Sequence, residues 1–264
     1  MNSYEHGPWP PGRRIVHVHI PKTAGTAFSD AFKKAYGGSL RVHPNPFESE
    51  YRDIEYSDFD FYEGHIGFTT ACDIGGEFIT ILRDPVDRYL STYFFLKQLY
   101  FSGVEISHKT SLAARFDLDE FVQITDDPAL DAEFLNRMTW QIAHSHQLEL
   151  RQQLIDSGVG DAELLRISIA NLSRFAIVGV QSNMAGFAEE IRQKYGVKLS
   201  IDRINVTKSR LKKADVSPKT LKVIEAWVYL DQQLWDAANG ARCGLQEDSG
   251  LLANNSRSSA WNSR

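Results

Sequence analysis

Alternation of apolar and polar side chains predicts the strands of this chain. Residues 15–20 place Val and Ile on one face and His17 and His19 on the other, a pattern typical of a short strand. The other runs that predict strands are residues 61–68 (FYEGHIGF, a weaker strand and turn), 78–82 (FITIL) and 175–180 (FAIVGV).

Helical spacing of apolar residues fills the segments between these strands. The predicted helices are residues 26–36, 86–99, 118–123, 129–139, 162–172, 186–195 and 218–238. Gly37-Gly38 marks the end of the first helix, and Asp84-Pro85 supplies an N-cap and a first-turn proline for the second. Short apolar strands separated by helices predict an α/β fold with a central, mainly parallel β-sheet flanked by helices.

The same patterns divide the chain into three parts. Residues 1–14 are polar and proline-rich and predict a flexible leader, whereas residues 245–264 are rich in Ser and Asn and predict a disordered tail. Residues 15–244 hold all the predicted strands and helices, together with a polar loop at 39–60. We therefore expect one folded domain between two unstructured ends.

Composition narrows the classes of protein. With 42% hydrophobic and 24% charged residues the chain resembles ordinary globular proteins, and no apolar stretch reaches the ~18 residues that span a bilayer. The net charge of −5 argues against a protein that coats nucleic acid. Cys72 and Cys243 form no disulfide framework and the start lacks a signal-peptide core, so we expect a cytoplasmic location. A local basic segment, residues 203–213, suits either a solvated surface or an anionic ligand.

The segment PKTAGTAF, residues 21–28, lies between the first strand and the first helix. A helix N-terminus favours anions, because its first N–H groups are unpaired and its dipole is positive there. Gly25 lets the backbone approach a ligand, and Lys22 brings a positive charge. Thr23 and Thr26 add hydroxyl donors, but the lysine precedes the glycine, unlike in a Walker A loop. The residues alone leave two interpretations open, an anion-binding loop and a plain N-capped helix.

A second polar group follows the strand at residues 78–82. Arg83 ends that strand and Ser91 lies in the second turn of the next helix. Arg suits forked hydrogen bonds to an oxyanion, so the two side chains are candidates to hold one phosphate. Arg88 shares the helix face of Ser91 and is expected either to assist it or to pair with Asp84. In the simpler interpretation, Arg83 pairs with a carboxylate and Ser91 is a surface hydroxyl.

Both segments resemble motifs of one family. HIPKTAGTAF closely resembles the 5′-phosphosulfate loop of the carbohydrate sulfotransferases of the heparan-sulfate type, whose pattern is H-I-P-K-T-[GA]-G-T. LRDPVDRYLS resembles their 3′-phosphate motif, L-R-D-P-x-x-R followed by a helical serine. The resemblance implies a P-loop-like fold and 3′-phosphoadenosine 5′-phosphosulfate (PAPS) as the sulfuryl donor. The implied donor-binding residues are Pro21, Lys22, Thr23, Ala24, Gly25, Thr26 and Ala27 for the 5′ end and Arg83 and Ser91 for the 3′-phosphate.

Weaker matches extend this resemblance along the chain. NRMTWQ resembles the family segment N-x-M-x-R-Q-L, with Trp140 where Arg is frequent. FAIVGVQ resembles F-x-x-V-G-x-x-E, with Gln181 in place of the glutamate. A late basic loop resembles one that closes over the nucleotide, which implies a contact from Lys208 or Arg210 with the 3′-phosphate or the adenine.

Catalytic roles follow from the resemblance and from acid–base chemistry. An acceptor hydroxyl needs a base, and His65 lies in a Gly-flanked segment, EGHIGF, where related enzymes carry theirs. Glu63 is expected to orient the His65 ring or to act as the base itself. Lys22 is expected to meet the charge that develops on the leaving phosphate. His19 is expected to shape the loop, and with His17 it makes a pair that lacks an evident third metal ligand.

The sequence thus predicts a soluble, bacterial-type, PAPS-dependent sulfotransferase. Its acceptor is expected to be a hydroxyl of a carbohydrate, on a glycan or a glycolipid. We expect no nucleic-acid partner, no transmembrane segment and no required metal ion. Two alternatives stay open: a P-loop small-molecule kinase, which would require Mg²⁺, and a non-catalytic nucleotide-binding protein that retains the fold.

Overall fold

A computed structural model describes residues 10, 12–43, 59–145, 147–201 and 211–240. Lys208 and Arg210 lie outside the described residues, as do the tail predicted at 245–264 and residues 1–9 and 11 of the leader predicted at 1–14. Within the described ranges, no helix combines the length and the apolar character needed to cross a membrane.

Four strands form one parallel sheet: β1 (Ile15–Val18), β2 (Phe61–Gly64), β3 (Glu77–Leu82) and β4 (Ile177–Val180). Their order is β2-β1-β3-β4, and Val18 at the end of β1 is in register with Gly64 on one side and Thr80 on the other. Every paired strand is parallel, as expected where helices form the crossovers. The predicted α/β class with a parallel central sheet is confirmed.

Helices connect the strands and extend beyond them. They are α1 (Gly25–Tyr36), α2 (Phe68–Ile74), α3 (Pro85–Phe101), α4 (His108–Arg115), α5 (Leu118–Phe121), α6 (Pro128–Phe134), α7 (Arg137–Ala143), α8 (Leu148–Asp156), α9 (Asp161–Leu172), α10 (Met184–Tyr195), α11 (Pro218–Trp227) and α12 (residues 229–240, as far as described). The sequence pattern did not predict α2, α4 or α8, which carry few apolar residues at helical spacing.

Two helices that were predicted as continuous are each interrupted in the structure. The helix predicted at 129–139 divides into α6 and α7 at Asn136, whose φ of 44° is left-handed. The Asn136 side-chain oxygen accepts hydrogen bonds from the backbone N–H groups of Leu230 and Asp231, so a distant segment stabilises the break. The helix predicted at 218–238 is interrupted by a turn at Val228 and continues as α12.

The core lies on both faces of the sheet. Val16, Val18 and Ile20 pack on one face with side chains from α2, α7 and α12. Ile15 and Ile79 pack on the other face with α1 and α10. A third apolar cluster, remote from the sheet, joins α3 to α4, α5, α6 and α11. Since helices cover both faces, the carboxyl edge of the strands is the part of the sheet that is available to a ligand.

Candidate active site

Several of the predicted site residues follow the carboxyl ends of β1, β2 and β3. β1 lies between β2 and β3, so the chain leaves β1 in one direction and returns to its other side. Such a reversal of strand order opens a crevice where ligands bind in parallel α/β proteins. The loops after β1 and β3 meet there, because the Arg83 Nη1 atom donates to the Lys22 carbonyl oxygen at 2.8 Å. The structure thus brings together two groups that the sequence separates by about 60 residues.

The loop after β1 has a strained backbone. Lys22 and Ala24 have positive φ angles of 69° and 78°, which side-chain-bearing residues rarely adopt. The Thr23 hydroxyl donates to the Ile20 carbonyl oxygen at 2.8 Å and is fully buried, which fixes the turn from inside. Because that hydroxyl is used within the loop, the part of Thr23 suited to a ligand is its backbone N–H. Strain of this kind is typical of binding loops that the surrounding structure holds in place.

Gly25 allows the loop to close against a histidine ring. A Cβ atom at Gly25 would lie 2.1 Å from Cδ2 and 2.4 Å from Nε2 of His19. Only a residue without a side chain fits there, so this glycine sets the approach of α1 to β1. The expectation that His19 shapes the loop agrees with this contact.

The N-terminus of α1 is built for an anion. Its N-cap, Ala24, has no side-chain oxygen, and the first turn holds no acidic residue. The 12-residue helix therefore directs its first N–H groups and the positive end of its dipole toward the crevice. Thr26 is exposed in that first turn, where its hydroxyl is accessible to a ligand. Lys22 lies beside it, with its ammonium 3.8 Å from the centre of the Phe95 ring on α3.

Arg83 contacts this loop from the β3 side, and Ser91 follows it in α3. Both are buried, Arg83 at the end of β3 and Ser91 in the second turn of α3. Arg88 neither assists Ser91 nor pairs with Asp84: it is fully buried, and its Nη2 atom donates to the carbonyl oxygens of Glu133 and Phe134 at 3.2 and 3.3 Å. Arg88 therefore lies in the core and not in the crevice, although it shares a helix face with Ser91.

Three histidine side chains, which we call the histidine row, follow the α1 face of the sheet. The rings of His17 and His19 stack with centroids 5.1 Å apart, and His65 meets His19 edge-on at 4.9 Å. The ring nitrogen Nδ1 of His17 lies 3.0 Å from the Ser29 hydroxyl on α1. The shared face of His17 and His19 was predicted from the strand pattern, whereas no local pattern indicates that His65 joins them.

Burial keeps the histidine row neutral. It lowers the pKa of His65 to about 3, and the neighbouring His19 and Arg137 lower it further in the same direction. Burial, with Lys22 and Lys33, lowers the pKa of His19 to about 4. A neutral imidazole accepts a proton, so His65 has the protonation state that a general base needs. Among the described residues, no group of three or more His, Cys, Asp or Glu is placed to hold a metal ion.

Glu63 forms an ion pair with Lys33. Glu63 lies on β2 in register with His17, and its carboxylate accepts from the Lys33 ammonium on α1. The sequence analysis did not predict this pair, because the partners are 30 positions apart on different elements. With its carboxylate on Lys33, Glu63 links β2 to α1 along the histidine row.

Helix α7 forms the wall on the opposite side of the sheet. Gln141 is fully buried, and its side-chain amide donates to the carbonyl oxygens of His19 and Ile66. Gly67 packs directly on the end of α7, since a Cβ there would lie 2.1 Å from the His144 carbonyl oxygen. Gln141 lies within the NRMTWQ motif, which by itself predicts no role for this side chain.

A parallel sheet with no side-chain cap on the helix after β1, and with an arginine and a serine after β3, is an arrangement suited to a ligand that carries two anionic groups. Residues 10–236 match the model of the Sulfotransferase family, so the chain belongs to that family. It is also similar to the heparan sulfate 2-O-sulfotransferase hst-2 of Caenorhabditis elegans, with 28% identity over 205 residues. That match covers 67% of this chain and 58% of the relative, so the chain spans under two thirds of the relative's length.

Proposed function

We propose that this protein transfers a sulfuryl group from PAPS to a hydroxyl of a carbohydrate acceptor. The observation that carries the proposal is the hydrogen bond from Arg83 to the Lys22 carbonyl, which joins a 5′-type anion loop to a candidate 3′-phosphate site. Kinase donors lack a 3′-phosphate, so a second anion site beside the first favours PAPS over ATP. Family membership supports the same reaction.

The donor is proposed to lie along the carboxyl edge of β1 and β3. The backbone from Pro21 to Ala27, with the exposed Thr26 hydroxyl, holds the 5′ end at the N-terminus of α1. Arg83 and Ser91 hold the 3′-phosphate through side-chain donors. Lys208 and Arg210 stay predictions from the sequence as further contacts to the nucleotide.

In the proposed reaction His65 accepts the proton of the acceptor hydroxyl. The acceptor oxygen forms a bond to sulfur while the bond between sulfur and the 5′-phosphate oxygen breaks, leaving a sulfate ester and 3′-phosphoadenosine 5′-phosphate (PAP). Lys22 and the α1 N–H groups stabilise the charge that gathers on the leaving phosphate. We assign the base to His65 and not to Glu63, because the Glu63 carboxylate is paired with Lys33.

The acceptor is proposed to be a glycan or a glycolipid. The similar protein from Caenorhabditis elegans is a heparan sulfate sulfotransferase by name, which supports a carbohydrate hydroxyl. A cytoplasmic location and independence from metal ions stay predictions, the latter checked by assaying transfer with and without EDTA.

Calorimetric titration with PAP, ADP and ATP tests the donor assignment. We expect PAP to bind at least about tenfold more tightly than ADP, since one charge-assisted phosphate contact is worth ~1.5–3 kcal/mol. Arg83→Ala should remove that preference, whereas Arg192→Ala, an exposed arginine on α10 paired with Glu189, should retain it. Equal binding of PAP and ADP by the unaltered protein would exclude the proposed donor and favour the kinase.

A transfer assay distinguishes an enzyme from a non-catalytic binder. With labelled PAPS and a panel of desulfated glycans, His65→Ala should lower the rate ~100-fold or more. The control is His108→Ala, because the His108 side chain is exposed and pairs with Asp127. An unchanged rate in His65→Ala would refute its assignment as the base.

A further inference from the structure

We propose that Gln141 is a positioning residue that fixes the distance between the donor loop and the catalytic base. This inference rests on the proposed function and extends it to a residue outside the predicted site. The Gln141 Nε2 atom donates to the His19 carbonyl oxygen at 3.0 Å and to the Ile66 carbonyl oxygen at 2.8 Å. His19 opens the donor loop, and Ile66 directly follows His65. One amide group therefore joins the two segments that must hold the reacting groups.

The position of Gln141 matters because the strand pairing stops there. The backbone N–H of His19 donates to the Gly64 carbonyl oxygen at 2.9 Å, just beyond the last paired residues of β1 and β2. After that bond the two chains turn toward α1 and α2, respectively. The two hydrogens of the Gln141 amide bridge the chains one step further on, where the sheet no longer determines their spacing.

Arg137 fixes the orientation of the Gln141 amide. The Gln141 Oε1 atom accepts from Arg137 Nε at 3.2 Å, and Arg137 Nη1 donates to the Ala132 carbonyl oxygen at 2.8 Å. A guanidinium is a donor only, so the amide oxygen must face it and the NH₂ group must face the two carbonyl oxygens. A reversed amide would set donor against donor and acceptor against acceptor in a buried place.

Helix α7 provides a rigid support for this contact. The Asp231 carboxylate accepts from the N–H groups of Met138 and Thr139 at 3.2 and 2.7 Å, which caps the start of the helix. At the other end the Asn171 side-chain amide donates to the carbonyl oxygens of Ile142 and Ala143 at 3.1 and 3.0 Å. Because both ends of α7 are held, Gln141 keeps a fixed position against the segments at His19 and Ile66. In a displacement reaction, small errors in the distance between reacting groups lower the rate steeply.

Gln141→Leu and Asn171→Leu form a matched pair of variants. Each variant removes one side-chain amide that donates to two carbonyl oxygens. Asn171 contacts the end of α7, whereas Gln141 lies on α7 and contacts the His19 and Ile66 segments. We expect similar decreases in Tm, a ~10- to 100-fold loss of kcat in Gln141→Leu alone, and PAP affinity within about threefold of the unaltered protein in both. In a His65→Ala background, Gln141→Leu should cost less than about threefold, because its effect acts through that base. Equal losses of kcat in the two variants, or additive losses with His65→Ala, would overturn the proposal.

NMR titration of the His65 ring gives a readout that does not depend on transfer. Gln141→Leu should loosen the segment, expose the ring and raise the pKa of His65 from about 3 toward its ordinary value, while Asn171→Leu should leave it unchanged. An unmoved pKa in Gln141→Leu would contradict the positioning role. If the unaltered protein fails to bind PAP, the proposed function fails, whereas the titration still decides whether Gln141 holds His65.

Discussion

Two of the helices that begin at the carboxyl edge of the sheet, α1 and α3, start in opposite ways. α1 follows a strained loop, has alanine at its N-cap and holds no acidic residue in its first turn. α3 begins with Asp84, whose carboxylate accepts from the Asp87 N–H at 2.9 Å, and with a proline at the first position. Asp84 also lies 3.8 Å from the Lys213 ammonium. The N-terminus of α3 is thus capped by a carboxylate that has a cationic partner, whereas no side chain caps α1.

Under the proposed function, this difference suits one crevice to two separate anions. At α1 the backbone itself and the dipole attract negative charge, so small residues with little side-chain chemistry suffice. At α3 the capping carboxylate opposes an anion, so binding must come from side chains on either side of the cap, Arg83 before it and Ser91 after it. A change in the backbone at α1 and the removal of a side chain in the crevice should therefore have different effects on kcat and on PAP affinity.

The largest effect is expected at Lys22. Lys22→Ala removes the charge next to the leaving phosphate, and kcat should fall ~100- to 1,000-fold, as when one oxyanion donor is lost. PAP affinity should change less than about tenfold, because the α1 N–H groups remain. Initial rates and PAP titrations measure the two effects, with Lys34→Ala, an exposed lysine on the same helix, as control. A loss of PAP affinity as large as the loss of kcat would mean that Lys22 serves ground-state binding.

Gly25→Ala tests the backbone side of the comparison. The added Cβ would lie 2.1 Å from the His19 ring, so the ring or the helix must move. We expect transfer to fall ~100-fold and PAP affinity to fall with it, because the N–H groups of α1 are displaced. Gly38→Ala is the control, since a Cβ there meets nothing within 4 Å. Full activity in Gly25→Ala would show that the close packing of His19 is not needed.

The pH dependence of transfer tests the neutral histidine row. Because burial lowers the pKa of His65 to about 3 in the free protein, the base is already unprotonated at neutral pH. The value of kcat/KM for the donor should therefore stay level from about pH 8 to about pH 5. As the pH is lowered, kcat should begin to decline before kcat/KM does, because a bound anion raises the pKa of the base. Rates in a buffer series of constant ionic strength measure both profiles. A kcat/KM that halves near the ordinary histidine pKa would contradict this environment for His65.

The smallest effect is expected at the cap of α3. Asp84→Ala should lower the free energy of unfolding by ~1 kcal/mol, or about 2–4 °C in Tm, because one first-turn N–H loses its partner. Asp127→Ala is the comparison, since Asp127 caps α6 in the same Asp-Pro arrangement and also pairs with His108. Thermal unfolding should give similar values for both, with PAP affinity within about threefold in each. Weaker PAP binding in Asp84→Ala alone would show that this carboxylate does more than cap.

Much of this fold could be predicted from local patterns, and the exceptions have a common cause. The four strands and α1 follow from apolar periodicity, and the Asp84 cap follows from its Asp-Pro signal. The break at Asn136 depends on N–H groups more than 90 positions away, which no local window contains. Local patterns predict an element when its own residues stabilise it and fail when a distant partner does.

The same distinction applies to the site. The loop at residues 21–28, between the first strand and the first helix, was predictable because it lies within one short motif, and the roles of Arg83 and Ser91 stay predictions. The Lys33–Glu63 pair and the amide bridge from Gln141 were not, because each joins elements 30 or more positions apart. Arg88 was misjudged because helical spacing shows which residues share a face but not which side chain turns into the core.

The cap that Asp231 places on α7 has a consequence for synthesis on the ribosome. The helix that carries Gln141 is translated about 90 residues before the carboxylate that satisfies its first N–H groups. Until α12 has emerged and docked, α7 begins with unpaired N–H groups and a left-handed Asn136 without its backbone donors. We therefore expect a nascent chain that ends before residue 231 to assemble the sheet and the loop after β1 first, with the α7 wall beside His65 completed only when α12 docks.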